Sequence, residues 1–228
     1  MREQLIEILR DEMLWAGPFL TSPAVSQSAA PDRPQDAEEE LERIRLSCAD
    51  CTSCSLGSTR KNIVFGEGNP QADILFIGEA PGAVEDETGR PFVGPAGSLL
   101  TDIIEKGLKL KRPDVYIANI VKCRPPENRD PQPHEIARCI GYLEAQIMAV
   151  NPRVIIALGR IAAHTLLDTA TPISRLRGTF HTYKGINIMP TFHPSYLLKN
   201  LSKKREVWED IKKVMEYLGL PVQRPAGS

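Results

Sequence analysis

Apolar residues along this chain follow two periods. Unbroken short runs at Asp73–Ile77 (DILFI), Asp114–Ala118 (DVYIA), Val154–Leu158 (VIIAL) and Ile186–Pro190 (INIMP) predict strands buried on both faces. Between them, apolar positions three and four residues apart predict helices at about Ala96–Leu108, Pro133–Val150 and Arg160–Leu167, with a last one at Lys203–Leu218. Strands that alternate with helices form a mostly parallel sheet covered on both sides. The expected fold is therefore α/β, a three-layer α/β/α sandwich around a central, mostly parallel four-stranded sheet.

The first 35 residues follow a different rule. Leu5, Ile6, Leu9, Met13 and Leu14 lie at helical spacing until Gly17-Pro18 stops the pattern, which predicts an amphipathic helix within residues 1–20. The stretch from Thr21 to Gln35 (TSPAVSQSAAPDRPQ) is rich in Pro, Ser and Ala, cannot bury a core and reads as a flexible linker. The main domain is expected over 36–220, followed by a tail at 221–228. The leading helix has two readings, a solvated cap or a docking peptide for a protein partner.

Composition changes the picture in two places. A formal net charge of -1 argues against a nucleic-acid partner, but residues 1–45 hold 5 Lys and Arg against 10 Asp and Glu, which leaves residues 46–228 at a net +4. The main domain is thus mildly basic. No apolar run reaches the roughly 20 residues of a membrane span, and the N-terminus lacks the apolar core of a signal peptide, so a monomeric, cytoplasmic protein with no membrane partner is expected. In that setting five cysteines, Cys48, Cys51, Cys54, Cys123 and Cys139, read as metal ligands or buried thiols rather than as disulfides.

In a doubly covered parallel sheet, ligands sit beyond the carboxyl ends of the strands. The segments that follow those ends carry the candidate chemistry. GEAPGAVEDETGRPFVGPAGSLL (78–100) is a glycine- and proline-bearing loop that brings backbone and carboxylates close to a ligand, without the Gly-Lys-Ser/Thr of a phosphate-binding Walker loop. NIVKCRPPENR begins with Asn119, whose planar amide offers one acceptor and one donor, the complement of the N3–H and O4 edge of uracil and the opposite of the edge of cytosine. The ordinary role of a strand-end Asn is a turn or a helix cap. TFHPSYLL places His193 after the last strand, Pro194 at a first helical turn and Ser195 beside it. A histidine there can donate to a developing oxyanion, although a lone histidine is more often structural.

Together these three motifs, in order and spacing over roughly residues 46–218, resemble the family-4, iron–sulfur uracil-DNA glycosylases. Four thiolates by themselves suit either zinc or an iron–sulfur cluster. The resemblance implies a [4Fe-4S] cluster on Cys51, Cys54, Cys123 and Cys139, with Cys48 left as a spare thiol. It implies excision of uracil from DNA, single- or double-stranded, after the base is flipped from the stack, as the first step of base excision repair. It gives Phe92 the role of stacking on the base, and Asn119 that of reading its edge. Glu79 would support the sugar cation and the attacking water, with Glu85 as a second candidate, and His193 would bond the departing uracil anion. Ala80 stands where family-1 enzymes carry an Asp in the base pocket. Ser98 and Ser195 are candidate phosphate contacts at helix starts, and Arg175, Arg177, Lys199, Lys203, Lys204 and Arg205 are candidate cations for the DNA face.

Other readings stay open at this stage. A non-catalytic iron–sulfur electron carrier would need the cysteines but not the Asn119 and His193 loops, and a non-catalytic iron–sulfur protein that binds uracil-DNA is a further alternative. A branch trapped covalently on its abasic product would need a histidine in a basic insertion, and the segment between Asn119 and Cys139 holds only His134 and no basic run. A phosphate-binding α/β enzyme is disfavoured by the missing lysine.

Overall fold

The computed structural model of the protein describes residues 36–222. The expected helix of residues 1–20, the linker of 21–35 and most of the tail lie outside the described residues.

The chain opens with α1 (Ala37–Cys48), where Leu41, Ile44 and Cys48 turn one face inward and three glutamates occupy the first turn. There follow β1 (Glu67–Gly68), β2 (Ile74–Gly78), α2 (Ala83–Thr88), α3 (Pro95–Asp102) and β3 (Tyr116–Asn119). The second half holds α4 (Pro133–Val150), β4 (Val154–Leu158), α5 (Gly159–Leu167), α6 (Ile173–Leu176), β5 (His181–Tyr183), β6 (Ile186–Thr191), α7 (Pro194–Lys199) and α8 (Lys204–Leu218). No helix among the described residues is long and apolar enough to cross a membrane.

The sheet has six strands in the order β1-β3-β2-β4-β6-β5. The four central strands are parallel, with Leu75 opposite both Tyr116 and Ile155, and Ile155 opposite Ile188. They are the four that the apolar runs predict. The two additions pair antiparallel at the edges. Each is three residues or fewer and at least partly exposed, so neither leaves an apolar run in the sequence.

Every residue of β2 and β4 is buried, and alternation sends their side chains to opposite layers. Leu75, Ile77, Ile155 and Ala157 pack with α1, α4 and α5 through Leu41, Leu143, Ile147 and Ala162. Ile74, Phe76, Val154 and Ile156 pack with α3 and α8 through Leu99, Leu100, Ile211 and Val214. This is the three-layer sandwich expected from the pattern. The helix expected over Ala96–Leu108 starts at Pro95 and turns into a wider π-helical stretch at Ile103–Leu108.

From β2 the chain crosses to β3 on one side, and later to β4 and β6 on the other. The order of the strands therefore reverses next to β2, and a crevice opens there at the carboxyl ends. Two ion pairs hold loops around it. Glu135 at the start of α4 is fully buried. It accepts two bonds from Arg129 and one from the Ser55 hydroxyl, which ties the loop before α4 to the loop of Cys51 and Cys54. Arg129, aided by Gln132 N–H and Ser55, holds the Glu135 carboxyl down at about 2 against the opposing effect of burial.

Arg177, a candidate for the DNA face, belongs instead to the second pair. Its guanidinium donates to both oxygens of the buried Asp210 and to the Glu206 carbonyl, and Thr191 donates to Asp210 as well. A guanidinium committed to a buried carboxylate serves the fold. Arg177→Met leaves Asp210 buried without its partner and is expected to lower unfolding free energy by about 3 kcal/mol. Denaturant titration checks this, together with an unchanged affinity for undamaged DNA; weaker DNA binding at full stability would restore Arg177 to the DNA face.

Candidate active site

The loops after β2, β3, β4 and β6 enclose a cavity of about 500 Å³. Glu79, Ala80, Glu85, Phe92, Asn119, His193 and Ser195 all line it. Three separate motifs of the sequence are thus brought to one place. Ser98 is the exception: it lies exposed on α3 and does not line the cavity. Asn128, Arg129 and Arg160 also line the cavity and are not singled out by the sequence reading.

Asn119 is the last residue of β3 and is only 1% exposed. Its backbone is fixed by sheet pairing with Gly78 and by the bond from Ile120 N–H to the Gly78 carbonyl, 2.9 Å. Its side-chain Oδ1 has no hydrogen-bond partner within the protein. A buried carbonyl without a donor is costly, and a donor brought by a ligand would relieve that cost. Gly78 makes the arrangement possible: a Cβ there would stand 2.4 Å from both Asn119 Oδ1 and the Phe92 ring.

Phe92 sits across Gly78 from the amide with a left-handed φ of 51°, an unfavourable backbone for an aromatic residue. Glu85 supplies the restraint. Its Oε1 accepts the backbone N–H groups of Val93 and Gly94 at 2.9 and 2.8 Å, which pins the segment just after Phe92. One carboxylate oxygen of Glu85 is therefore spent on holding the stacking loop.

Glu79, one residue beyond β2, is half-buried, and its carboxyl is pushed up to about 7. Burial is the main cause; the negative charge of Asp130 adds to it, and Arg160 opposes it. Arg160 and Asp130 are themselves ion-paired. Burial thus sets the poise of Glu79, and a charge pair at the rim adjusts it.

His193 caps α7. Its Nδ1 accepts the Ser195 N–H at 3.1 Å and lies 2.8 Å from the Ser195 hydroxyl. An Nδ1 that accepts a backbone N–H leaves the ring proton on Nε2, so the neutral ring presents a donor. Burial lowers its pKa to about 4, with Glu85 opposing, and the ring is neutral at physiological pH. Gly159, with φ 86°, lets it approach, since a Cβ there would lie 2.8 Å from the His193 Cβ. The ring lies 5.6 Å from that of Phe92, centroid to centroid. Ser195, expected at a phosphate, is engaged with the histidine.

A second cavity is lined by all five cysteines together with Arg60, Lys122, Arg138 and Tyr142. None forms a disulfide. Arg60 donates to the Cys51 carbonyl at 2.6 Å and approaches Cys123 Sγ at 3.6 Å, while Lys122 N–H points at Cys139 Sγ, 3.3 Å away. Among the described residues no three His, Cys, Asp or Glu side chains converge tightly enough for a single ion. Cys48, left as spare in the sequence reading, is buried on α1 and lines the same cavity.

Residues 65–212 match the model of the uracil DNA glycosylase superfamily. A type-4 uracil-DNA glycosylase of Thermotoga maritima is 47% identical over 185 residues, which cover 79% of this chain and 96% of the relative. Type-4 uracil-DNA glycosylases of Sulfurisphaera tokodaii and Archaeoglobus fulgidus are 42% and 41% identical, over 78% and 79% of this chain and 84% and 94% of theirs. A superfamily match over most of the described chain, and type-4 relatives matched over nearly their whole length, lead to one conclusion: the chain belongs to the uracil DNA glycosylase superfamily and, within it, to the type-4 uracil-DNA glycosylases.

Proposed function

We propose that this chain hydrolyses the N-glycosidic bond of deoxyuridine in DNA, and that the unpartnered Asn119 Oδ1 at the floor of the cavity is the atom that selects uracil. Uracil offers N3–H to that acceptor and O4 to the amide NH2, whereas cytosine presents an acceptor at N3 and a donor at C4, so the buried carbonyl would face a lone pair. The base must leave the stack to reach it, at a cost of a few kcal/mol. Stacking on Phe92 returns roughly 1–3 kcal/mol.

Cleavage moves the bonding electrons of C1′–N1 onto the base, whose negative charge gathers at O2, and leaves a cationic sugar. His193 Nε2–H is the donor for O2. Its neutrality suits a hydrogen bond that strengthens as charge develops. Ionised Glu79 supports the sugar cation and orients the water whose oxygen forms the new bond to C1′, then takes its proton. Glu85 positions Phe92 through the loop it clamps. Ala80 itself adds no carboxylate to the wall of the cavity.

A [4Fe-4S] cluster is the group proposed for the cavity that all five cysteines line. A single zinc ion holds sulfurs at about 2.3 Å and needs a tight tetrahedron, whereas a cluster takes its thiolates at separate corners. Arg60, Lys122 and Arg138 supply positive charge suited to an anionic group. Cys51, Cys54, Cys123 and Cys139 would hold it. Such a cluster ties distant segments together and supplies no step of the hydrolysis. Cysteines that form no disulfide and serve as cluster ligands suit a reducing compartment such as the cytoplasm.

Asn119→Ala is expected to lose about 2–4 kcal/mol of transition-state stabilisation on a uracil oligonucleotide. His193→Ala and Glu79→Gln should lower the single-turnover rate by roughly 10²–10³ while DNA affinity stays within a few-fold. Variants that all keep wild-type rates would place the chemistry elsewhere.

The pH profile carries a separate expectation. Glu79 acts as the carboxylate, and its pKa is raised to about 7, so the single-turnover rate should climb as pH rises through about 7 and level off above. Asp130→Asn removes a charge that raises that pKa and should move the rise to lower pH; Arg160→Met should move it higher. An unchanged profile in both variants would detach the rise from Glu79.

Iron content tests the ligand set. Cys51, Cys54, Cys123 or Cys139 to Ala should each lose iron and visible absorbance, while Cys48→Ala keeps both. Loss of iron in Cys48→Ala would bring Cys48 into the ligand set.

A further inference from the structure

Lys122 stands between the two cavities. It is 2% exposed, three residues after Asn119 and one before Cys123. Its ammonium donates to the backbone carbonyl of Asn119 at 2.9 Å and to Gln146 Oε1 at 2.5 Å. Gln146, also fully buried, is held in turn by its Nε2 donating to the Phe65 carbonyl at 3.0 Å. Both acceptors of the ammonium are neutral.

A buried ammonium is strongly disfavoured unless an anion lies close by. The cavity on one side of Lys122 is lined by the five cysteines. The backbone N–H of Lys122 points at Cys139 Sγ, 3.3 Å away, and Lys122 lines the cysteine cavity. Four thiolates sharing one iron–sulfur group in that cavity would carry net negative charge. On the other side the ammonium grips the backbone of the residue whose side-chain carbonyl is buried without a partner beside the active-site cavity. Lys122 thereby has two attachments, its backbone N–H at Cys139 and its ammonium at the Asn119 backbone.

We propose that Lys122 is a positioning residue that couples the cysteine cluster to base selection: the cluster's negative charge holds the ammonium, and the ammonium holds Asn119 in the geometry that reads uracil. This rests on the assignment of Asn119 to uracil and of the cysteines to the cluster. The iron–sulfur group then does more than staple the fold, because its presence sets how well the amide discriminates.

The test uses the full-length, iron-loaded protein and Lys122→Met, which keeps an unbranched stem and removes the charge. The probe is an oligonucleotide with one 2′-fluorodeoxyuridine, which resists cleavage, measured against the same strand with thymidine; iron content and visible absorbance are read on the same samples. Lys122→Met is expected to keep its iron and its affinity for the thymidine strand and to lose about tenfold in uracil preference, the weight of one hydrogen bond from a charged donor. Chelation of iron should cost the wild type a similar factor and cost Lys122→Met little more, since the link is already cut. Full uracil preference in the iron-loaded variant, or an equal loss on chelation in both proteins, overturns the proposal. A wild type with no preference for the uracil strand refutes the functional reading itself, and the proposal with it.

If Lys122→Met does not retain iron, hydrogen exchange on the wild type decides. As iron is withdrawn, amides of residues 116–122 should lose protection while those of 154–158 keep theirs. Protection that survives at 116–122 without iron, or that is lost together with 154–158, contradicts the coupling.

Discussion

A carbonyl oxygen buried without a donor is the constraint around which this molecule is arranged. Asn119 Oδ1 is taken out of water at the end of a strand that admits no slack, because β3 is paired to β2 and locked by the bond from Ile120 to Gly78. Such an atom disfavours the empty state by a margin that a matching donor removes. In the proposed mechanism selectivity follows from the same fact: a base that brought an acceptor to this position would leave two lone pairs opposed in a buried site. The remaining structure keeps the atom dry and in place, through a glycine at 78 that allows close approach, an aromatic wall at 92 and a lysine behind the backbone.

In the proposed mechanism the two charges of the dissociating substrate are met by His193 and Glu79, groups of opposite poise. Burial acts on both His193 and Glu79 and favours the neutral form of each, yet the outcomes differ. His193 is driven far below neutrality and stays an uncharged donor whose free proton is placed by Ser195. Glu79 is raised only to about 7, where Asp130 and Arg160 at the rim can tip it. One apolar cavity thus yields a fixed donor and an adjustable base.

Much of this is legible in the sequence. The four central strands are continuous apolar runs because both faces of the sheet are covered, and the rule that ligands sit at the carboxyl ends brings Glu79, Asn119 and His193 into view before any coordinates. The edge strands are invisible because they are short and partly exposed, and α1 is missed although Leu41, Ile44 and Cys48 carry its spacing. Arg177 illustrates a limit of another kind: sequence shows a cation near the expected DNA face, and only the fold shows Asp210 claiming it. Lys122 is overlooked for the same reason. A lysine beside a cysteine reads as solvated until both of its neighbours, Asn119 and Gln146, are seen to be buried.

The central claim is that a strand-end amide makes this protein a uracil-specific hydrolase. Its most direct test is single-turnover cleavage of one oligonucleotide sequence carrying uracil, cytosine or thymine at the same position, followed by alkali to cut at abasic sites. The account predicts complete strand scission at uracil and none above background at cytosine or thymine. Scission at cytosine comparable to that at uracil, or an intact uracil strand, would contradict it.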